Sequence, residues 1–196
     1  MLQWSVDAAR AVADGVIAVV PVAHLDDPAA VGGADRVVAG GATRSESVRA
    51  GLAAVPLTAV VIVVHDAARP LASPALFRAV VAAVAGDAAG AVPGVPLADT
   101  VKWVEAGSVV ETFDRSRLVA VQTPQAFLAT ALRDAHAPGL DATDDSALVE
   151  ALGLRVAVVP GEASNRKITE PSDLESMVRG IEAAALERAR DVAGPG

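Results

Sequence analysis

Apolar positions alternate between helical and strand-like spacing as the chain is followed from its first residue. Leu2, Val6, Ala9 and Val12 fall near helical spacing, which predicts a helix from Leu2 to about Ala13 with Gly15 as its stop. No Ser, Thr, Asp or Asn precedes Leu2 as a cap, so the chain is expected to start inside a unit whose preceding turn is absent. VIAVVPV after Gly15 and RVVAG at Arg36 to Gly40 are short β-branched runs and read as strands. In GGATRSESVRAGLAAV, Thr43 and Glu46 have capping-box spacing, and Val48, Leu52 and Val55 supply an apolar face. AVVIVV, Ala59 to Val64, is apolar on both faces, as a central parallel strand requires.

That run ends abruptly in His65-Asp66-Ala67-Ala68-Arg69-Pro70. Ser73 and Pro74 then read as the cap and first residue of a helix ending near Gly86. GAVPGVPLADTVKWVEAGSVVETFDRSRLVAVQTPQ predicts a strand, an arm-like hairpin turning near Ala106-Gly107, and a strand returning at Leu118. Thr123-Pro124 is expected to open another helix, and Thr143-Asp144-Asp145 a further one that Gly153 ends. LRVAVVP is a strand, GEASNRKIT a loop, and Ser172 to about Arg190 a last helix, with a frayed tail at 191–196. Strands and helices alternate, so the expectation is one α/β domain over 1–190, a mostly parallel sheet with helices on both faces.

Composition narrows the function classes. The 196 residues are 53% hydrophobic and 20% charged, which suits a globular domain with a real core. Three Phe, two Trp and no Tyr leave few platforms for stacking nucleic acid, and a net charge of -8 opposes a long phosphate backbone. No nucleic-acid partner is expected, but a small anion held by a few focused cations is compatible with this charge. The absence of cysteine excludes disulfides and thiol chemistry, and His24, His65 and His136 show no metal-ligand spacing. No apolar run approaches the ~20 residues of a membrane span, and the first residues lack a signal-peptide layout. A cytoplasmic protein is expected.

Ligands of open α/β sheets bind beyond the carboxyl ends of the strands, so the residues that follow each strand carry the candidate chemistry. Gly40-Gly41 is a glycine turn into a capped helix, whose N–H groups suit an anion or a base edge; a plain tight turn explains it equally well. Asp66 and Arg69 follow a buried strand, where an Arg suits a phosphate through its bidentate fork. His65 is read as packing or capping the strand end. Lys167 sits beside Ile168 rather than in a run of charges, which marks it as a site residue. Capping alone accounts for Thr123 and Thr143. The rim therefore collects a glycine turn, an Asp, several cations and hydroxyls. That is equipment for phosphate-transfer electrostatics, with no nucleophile–base set.

Taken in order, GGATRSESV, VVIVVHDAARP, VPLADTVKWV, FDRSRLVAVQTPQAF, ATDDSALVEALG and NRKITEPSDL resemble the 2-C-methyl-D-erythritol 4-phosphate cytidylyltransferase family, over about Leu2 to Met177. The resemblance implies a Rossmann-like nucleotidyltransferase fold with a protruding β-arm. The implied reaction transfers CMP from CTP to 2-C-methyl-D-erythritol 4-phosphate and releases pyrophosphate, using Mg²⁺ held mainly by the nucleotide phosphates. Gly41, Ala42 and Ser47 match positions against cytosine and ribose, and Asp66 and Ala67 match ribose and metal-side positions. Arg69, Thr100, Arg115, Thr123 and Thr143 match positions around the methylerythritol phosphate. Lys167 matches the lysine that stabilises charge as the α-phosphate is attacked. Asp66 and Lys167 are the implied catalytic residues. The arm over 96–117 is implied to cross to a partner subunit in a homodimer, so that Thr100 and Arg115 serve the neighbour's site.

The family's opening strand and A-A-G-x-G-x-R loop, which wraps the triphosphate, do not occur in these 196 residues. Gly40-Gly41 occupies the separate base-side turn and does not replace them, and Ala42 stands where some members carry an acidic residue. The chain as written is therefore expected to be an impaired catalyst. Rival readings are a related sugar-phosphate nucleotidyltransferase, a shortened non-catalytic homologue, and a start lying upstream of Met1.

Overall fold

Helix α1, Leu2–Arg10, presses Ala8 against Ala72 and Phe77, with Val12 and Val63 alongside. Strands β1 (Ile17–Val20) and β2 (Arg36–Ala39) pair in parallel as a two-stranded sheet of their own. Helix α2, Arg44–Ala54, packs on both. Its start is the capping box read from the sequence: Thr43 accepts from the Glu46 amide, and Glu46 reaches back to the Thr43 amide. The computed structural model describes residues 1–26, 32–175 and 177–179, which fall into two compact units, Met1–Asn165 and Arg166–Gly196.

The larger sheet of the first unit contains β3 (Val61–Val64), β8 (Gln125–Leu128), β4 (Gly90–Pro96) and β7 (Val119–Val121), in that order, with β9 (Val156–Pro160) also paired to β4. β9 runs parallel to β4, whereas β8 is antiparallel to both β3 and β4, and β7 is antiparallel to β4. Strands β3, β4 and β9 thus share one direction, with β7 and β8 opposed. Side chains alternate across the sheet and create a core on each face. Ile62 and its register partner Phe127 point with Leu132 and Val149 towards α4 (Ala129–His136) and α5 (Asp145–Ala151). Ala91 and Ala126 face Val80 and Val84 of α3 (Pro74–Val84) on the other side. Ser73 caps α3 by accepting from the Leu76 amide, and Pro74 stands in its first turn, as the sequence implied.

Three expectations need correction. β3, read as a central parallel strand, stands at the end of its sheet's order and is antiparallel to its neighbour β8. Thr123-Pro124 does not open a helix: Gln125 to Leu128 form β8, laddered to β3 along its length and to β4 at Phe127 and Ala126. A Pro that matched a helix start by local rule was overridden by backbone pairing on both edges of a buried strand. Neither threonine is a cap. Asp144 caps α5 by accepting from the Ala147 amide, and the exposed Thr143 stands one residue before it.

The arm is a hairpin of β5 (Lys102–Glu105) and β6 (Ser108–Thr112), turning through Ala106 and Gly107 at φ 46° and 79°. Every residue of both strands is exposed, and Trp103 lies against Phe113 with ring centroids 6.3 Å apart. In the second unit, residues 171–175 and 177–179 are helical, and the Asp173 carboxylate accepts from the Thr169 and Glu170 amides. The rest of the expected last helix, and the expected frayed tail, lie outside the described residues.

Candidate active site

Strand β3 delivers His65 and Asp66 to the sheet's carboxyl edge, where the backbone turns so that the Arg69 amide donates to the Asp66 carbonyl at 2.9 Å. The Asp66 amide donates to the Thr123 hydroxyl at 3.0 Å. His65 holds the same turn from beneath: its Nε2 lies 3.2 Å from the Arg69 carbonyl, and its Nδ1 lies 3.1 Å from the Thr123 hydroxyl. A carbonyl only accepts, so Nε2 carries the proton and Nδ1 accepts from Thr123. Burial pushes the His65 pKa down to about 4, against the pull of the Arg69 carbonyl and Asp66, so the imidazole is neutral. It caps the strand end, as the sequence reading had it.

Two guanidinium groups flank Asp66. The Arg44 Nε lies 3.6 Å from Asp66 Oδ1, while its Nη2 donates to the buried Asp145 Oδ2 at 2.7 Å. Burial lowers the Arg44 pKa, but the bond to Asp145 and the charges of Asp145, Asp66 and Asp144 outweigh it and raise the group overall. Arg69 donates through Nη1 to the Asn165 carbonyl at 2.8 Å; burial lowers its pKa and Asp66 pulls it back. Arg44 Nη1 and Arg69 Nε are buried without a hydrogen-bond partner among the described residues. Below them, Asn165 is fully buried and donates to the Gln122 side chain and the Thr123 carbonyl, while Gln122 donates to the Glu162 and Asn165 carbonyls. This polar floor ties the segment entering β8 to the loop after β9.

At the glycine turn the sequence left an anion or base site and a plain tight turn equally open. Its N–H groups are not free: Gly40 donates to the Val20 carbonyl, Gly41 to the Ser47 hydroxyl, and Ala42 to Glu46 Oε2. A Cβ on Gly41 would stand 2.3 Å from the Glu46 Cβ, so packing on the first turn of α2 already demands glycine there. Ser47 is spent within this turn, as it also donates to the Thr43 carbonyl.

Asp66 and Thr123 are thus joined directly, and Arg69 shares their turn. Thr143 adjoins the start of α5, whose Asp145 reaches Arg44. Ala67 lies within the Asp66 turn. Thr100 and Arg115 lie on the arm and are exposed, with Arg115 donating to the Ala98 carbonyl. Lys167 belongs to the second unit.

Sequence reasoning passed over Arg44. The signal was present, since a cation in the first turn of a helix opposes the macrodipole and calls for a carboxylate partner.

The model of the family described as IspD, 2-C-methyl-D-erythritol 4-phosphate cytidylyltransferase, matches residues 1–179. The chain belongs to the IspD family. A bifunctional enzyme IspD/IspF of Nitratidesulfovibrio vulgaris is 52% identical over 157 residues, covering 78% of this chain and 40% of the relative. A 2-C-methyl-D-erythritol 4-phosphate cytidylyltransferase of Nocardia farcinica is 46% identical over 180 residues, covering 89% of this chain and 78% of the relative. The chain thus spans about two-fifths of the bifunctional relatives. The crystal structure of the cytidylyltransferase from Thermus thermophilus superposes with a TM-score of 0.78 at 38% identity, covering 95% of this chain and 88% of that one. A 4-diphosphocytidyl-2C-methyl-D-erythritol synthase from Anaerococcus prevotii gives 0.85 at 29% identity, covering 92% of this chain and 88% of that one. An IspD fold is therefore shown, and the Asp66 turn is part of it.

Proposed function

We propose that this chain is the catalytic unit of a cytidylyltransferase that moves CMP from CTP to 2-C-methyl-D-erythritol 4-phosphate and releases pyrophosphate, in the non-mevalonate isoprenoid pathway. The observation that carries the reading is Asp66 at the end of β3, flanked by Arg44 and Arg69, each with a buried N–H left over. Unpartnered guanidinium donors beside a carboxylate suit a phosphorylated ligand bound together with a cation.

In this reading a phosphate oxygen of the sugar phosphate attacks the α-phosphorus of CTP, the bond to the β-phosphate oxygen breaks, and pyrophosphate departs. Arg69 and Thr143 hold the phosphate of the sugar phosphate and Thr123 accepts from one of its hydroxyls; the half-buried Arg69 is fixed by Asn165 and needs little reordering to do so. Gly41, Ala42 and Ser47 line the base and ribose side, and Asp66 and Ala67 the ribose and metal side. With the Gly41 and Ala42 amides engaged, the base is met there by shape and by carbonyl oxygens. Lys167 is assigned to charge stabilisation on its N-x-K-I-T motif alone. Mg²⁺ supplies charge neutralisation on the phosphates. Among the described residues no three His, Asp or Glu side chains converge on a metal-sized point, so the ion would be held mainly by the nucleotide phosphates, with Asp66 on the metal side.

The exposed arm supports a two-fold dimer in which Thr100 and Arg115 reach the neighbour's site. None of the described helices is long and apolar enough to cross a membrane, and we place the protein in the cytoplasm. The reading is tested by pyrophosphate release from the full-length gene product offered each of the four nucleoside triphosphates with methylerythritol phosphate or another sugar phosphate. Release confined to CTP with methylerythritol phosphate supports it; preference for another pair transfers the chain to the related sugar-phosphate nucleotidyltransferases.

A further inference from the structure

Behind Asp66 stands a relay of side chains that ends on a buried histidine with no part in the reaction described above. His136, in the last turn of α4, is 4% exposed, and its Nε2 lies 2.9 Å from Asp145 Oδ1. Asp145 is wholly buried at the start of α5 and gives its other oxygen to Arg44 Nη2 at 2.7 Å. Arg44 then turns its Nε towards Asp66 Oδ1 at 3.6 Å. The relay crosses three elements, from α4 through the first turn of α5 to the first turn of α2, and reaches the end of β3.

Each link is costly by itself. A buried carboxylate requires partners on both oxygens, and a guanidinium at a helix N-terminus opposes the helix dipole. His136 is buried on the same helix as the core residue Leu132, where an apolar side chain would avoid the unpartnered Nδ1 that histidine leaves there. What histidine adds at this place is one N–H donor aimed at Asp145. That donor sets which way the carboxylate faces, and so where Arg44 is held.

We infer that His136 and Asp145 are positioning residues for the active site, acting through Arg44 to set the orientation and charge environment of Asp66. The inference rests on the assignment of Asp66 to the nucleotide site. Without the His136 donor, Asp145 keeps Arg44 alone of these two partners and is free to turn, which shifts the Arg44 guanidinium and the charge it presents to Asp66 where CTP and its cation arrive.

A double-mutant cycle between His136 and Asp66, which do not touch, tests this on the full-length product. His136→Leu keeps volume and burial but removes the donor; His136→Gln restores an N–H. In titrations with CTP and Mg²⁺, His136→Leu is expected to weaken binding about fivefold, the size of coupling seen within one polar network. His136→Gln is expected to bind as the parent does, and His136→Leu to add nothing in an Asp66→Asn background. Equal fivefold losses in both backgrounds would mean a purely structural histidine and would overturn the inference. The same cycle read by urea unfolding needs no ligand. If the parent protein fails to bind CTP, the functional reading falls, and coupling or additivity in urea still decides whether the relay exists.

Discussion

The Thr123 hydroxyl accepts the Asp66 backbone N–H at 3.0 Å, which fastens the turn after β3 to the segment that enters β8. The same hydroxyl donates to His65 Nδ1, so its proton points away from the site and only acceptor capacity remains for a ligand. Thr123→Val keeps the shape and strands both the Asp66 amide and His65. It is expected to cost about 1–3 kcal/mol in urea unfolding, with Thr123→Ser close to the parent. An unchanged midpoint for the valine variant would remove the hydroxyl from the framework of the site.

His65 makes stability depend on pH in a defined window. Its folded pKa of about 4 lies below the ordinary 6.5, so the unfolded chain binds the extra proton between those values. Stability is therefore expected to rise with pH from 4 to 6.5, and to be lost as pH falls back through that range, by about 3 kcal/mol from this group. The difference between the parent and His65→Leu in urea midpoints across pH 4 to 7 isolates it. A difference that does not vary with pH would show that His65 is not held neutral.

Gly41→Ala is expected to destabilise the protein by about 1–3 kcal/mol, whether or not a base is read at this turn. The new Cβ would collide with the Glu46 Cβ and break the capping box of α2. Thermal unfolding without ligand checks it. An unshifted Tm would mean that the turn opens freely and that the glycine is there for the ligand.

For the arm, replacing Val104 and Val109 with Asp should dissociate the proposed dimer without unfolding the chain, because both side chains are more than half exposed in the single chain. Sedimentation equilibrium at micromolar concentration is expected to show a dimer for the parent and a monomer for the variant. A monomeric parent would end the arm-exchange proposal.

Local chemistry was legible in the sequence at several places where partners lie a few residues apart, although the cap of α5 falls on Asp144 and not on Thr143. The Thr43–Glu46 box, the Ser73-Pro74 start and the turn at Ala106-Gly107 each follow from short-range rules. What escaped depends on partners far along the chain. Gln125 to Leu128 have no strand alternation to announce them, and become β8 only because β3 and β4 offer backbone on either side. The same holds for the buried polar groups. Nothing near Asn165 foretells Gln122, and nothing near Arg44 foretells Asp145, a hundred and one residues on. Asp66, Arg69 and Thr123 come together because sheet topology fixes where strand ends lie; the groups that brace them were not legible, because bracing is tertiary.

The central claim is that Asp66 belongs to a site for CTP and methylerythritol phosphate. The most direct measurement follows transfer of labelled CMP by the full-length product, with and without methylerythritol phosphate, for the parent and Asp66→Asn. Formation of the cytidine diphosphate ester should require the sugar phosphate and fall at least about a hundredfold in Asp66→Asn, the size of loss expected when a preorganised group is removed from a transition state. Urea stability should stay close to that of the parent. An Asp66→Asn protein that makes the ester at the parental rate, or a parent that consumes CTP equally well without the sugar phosphate, would contradict it.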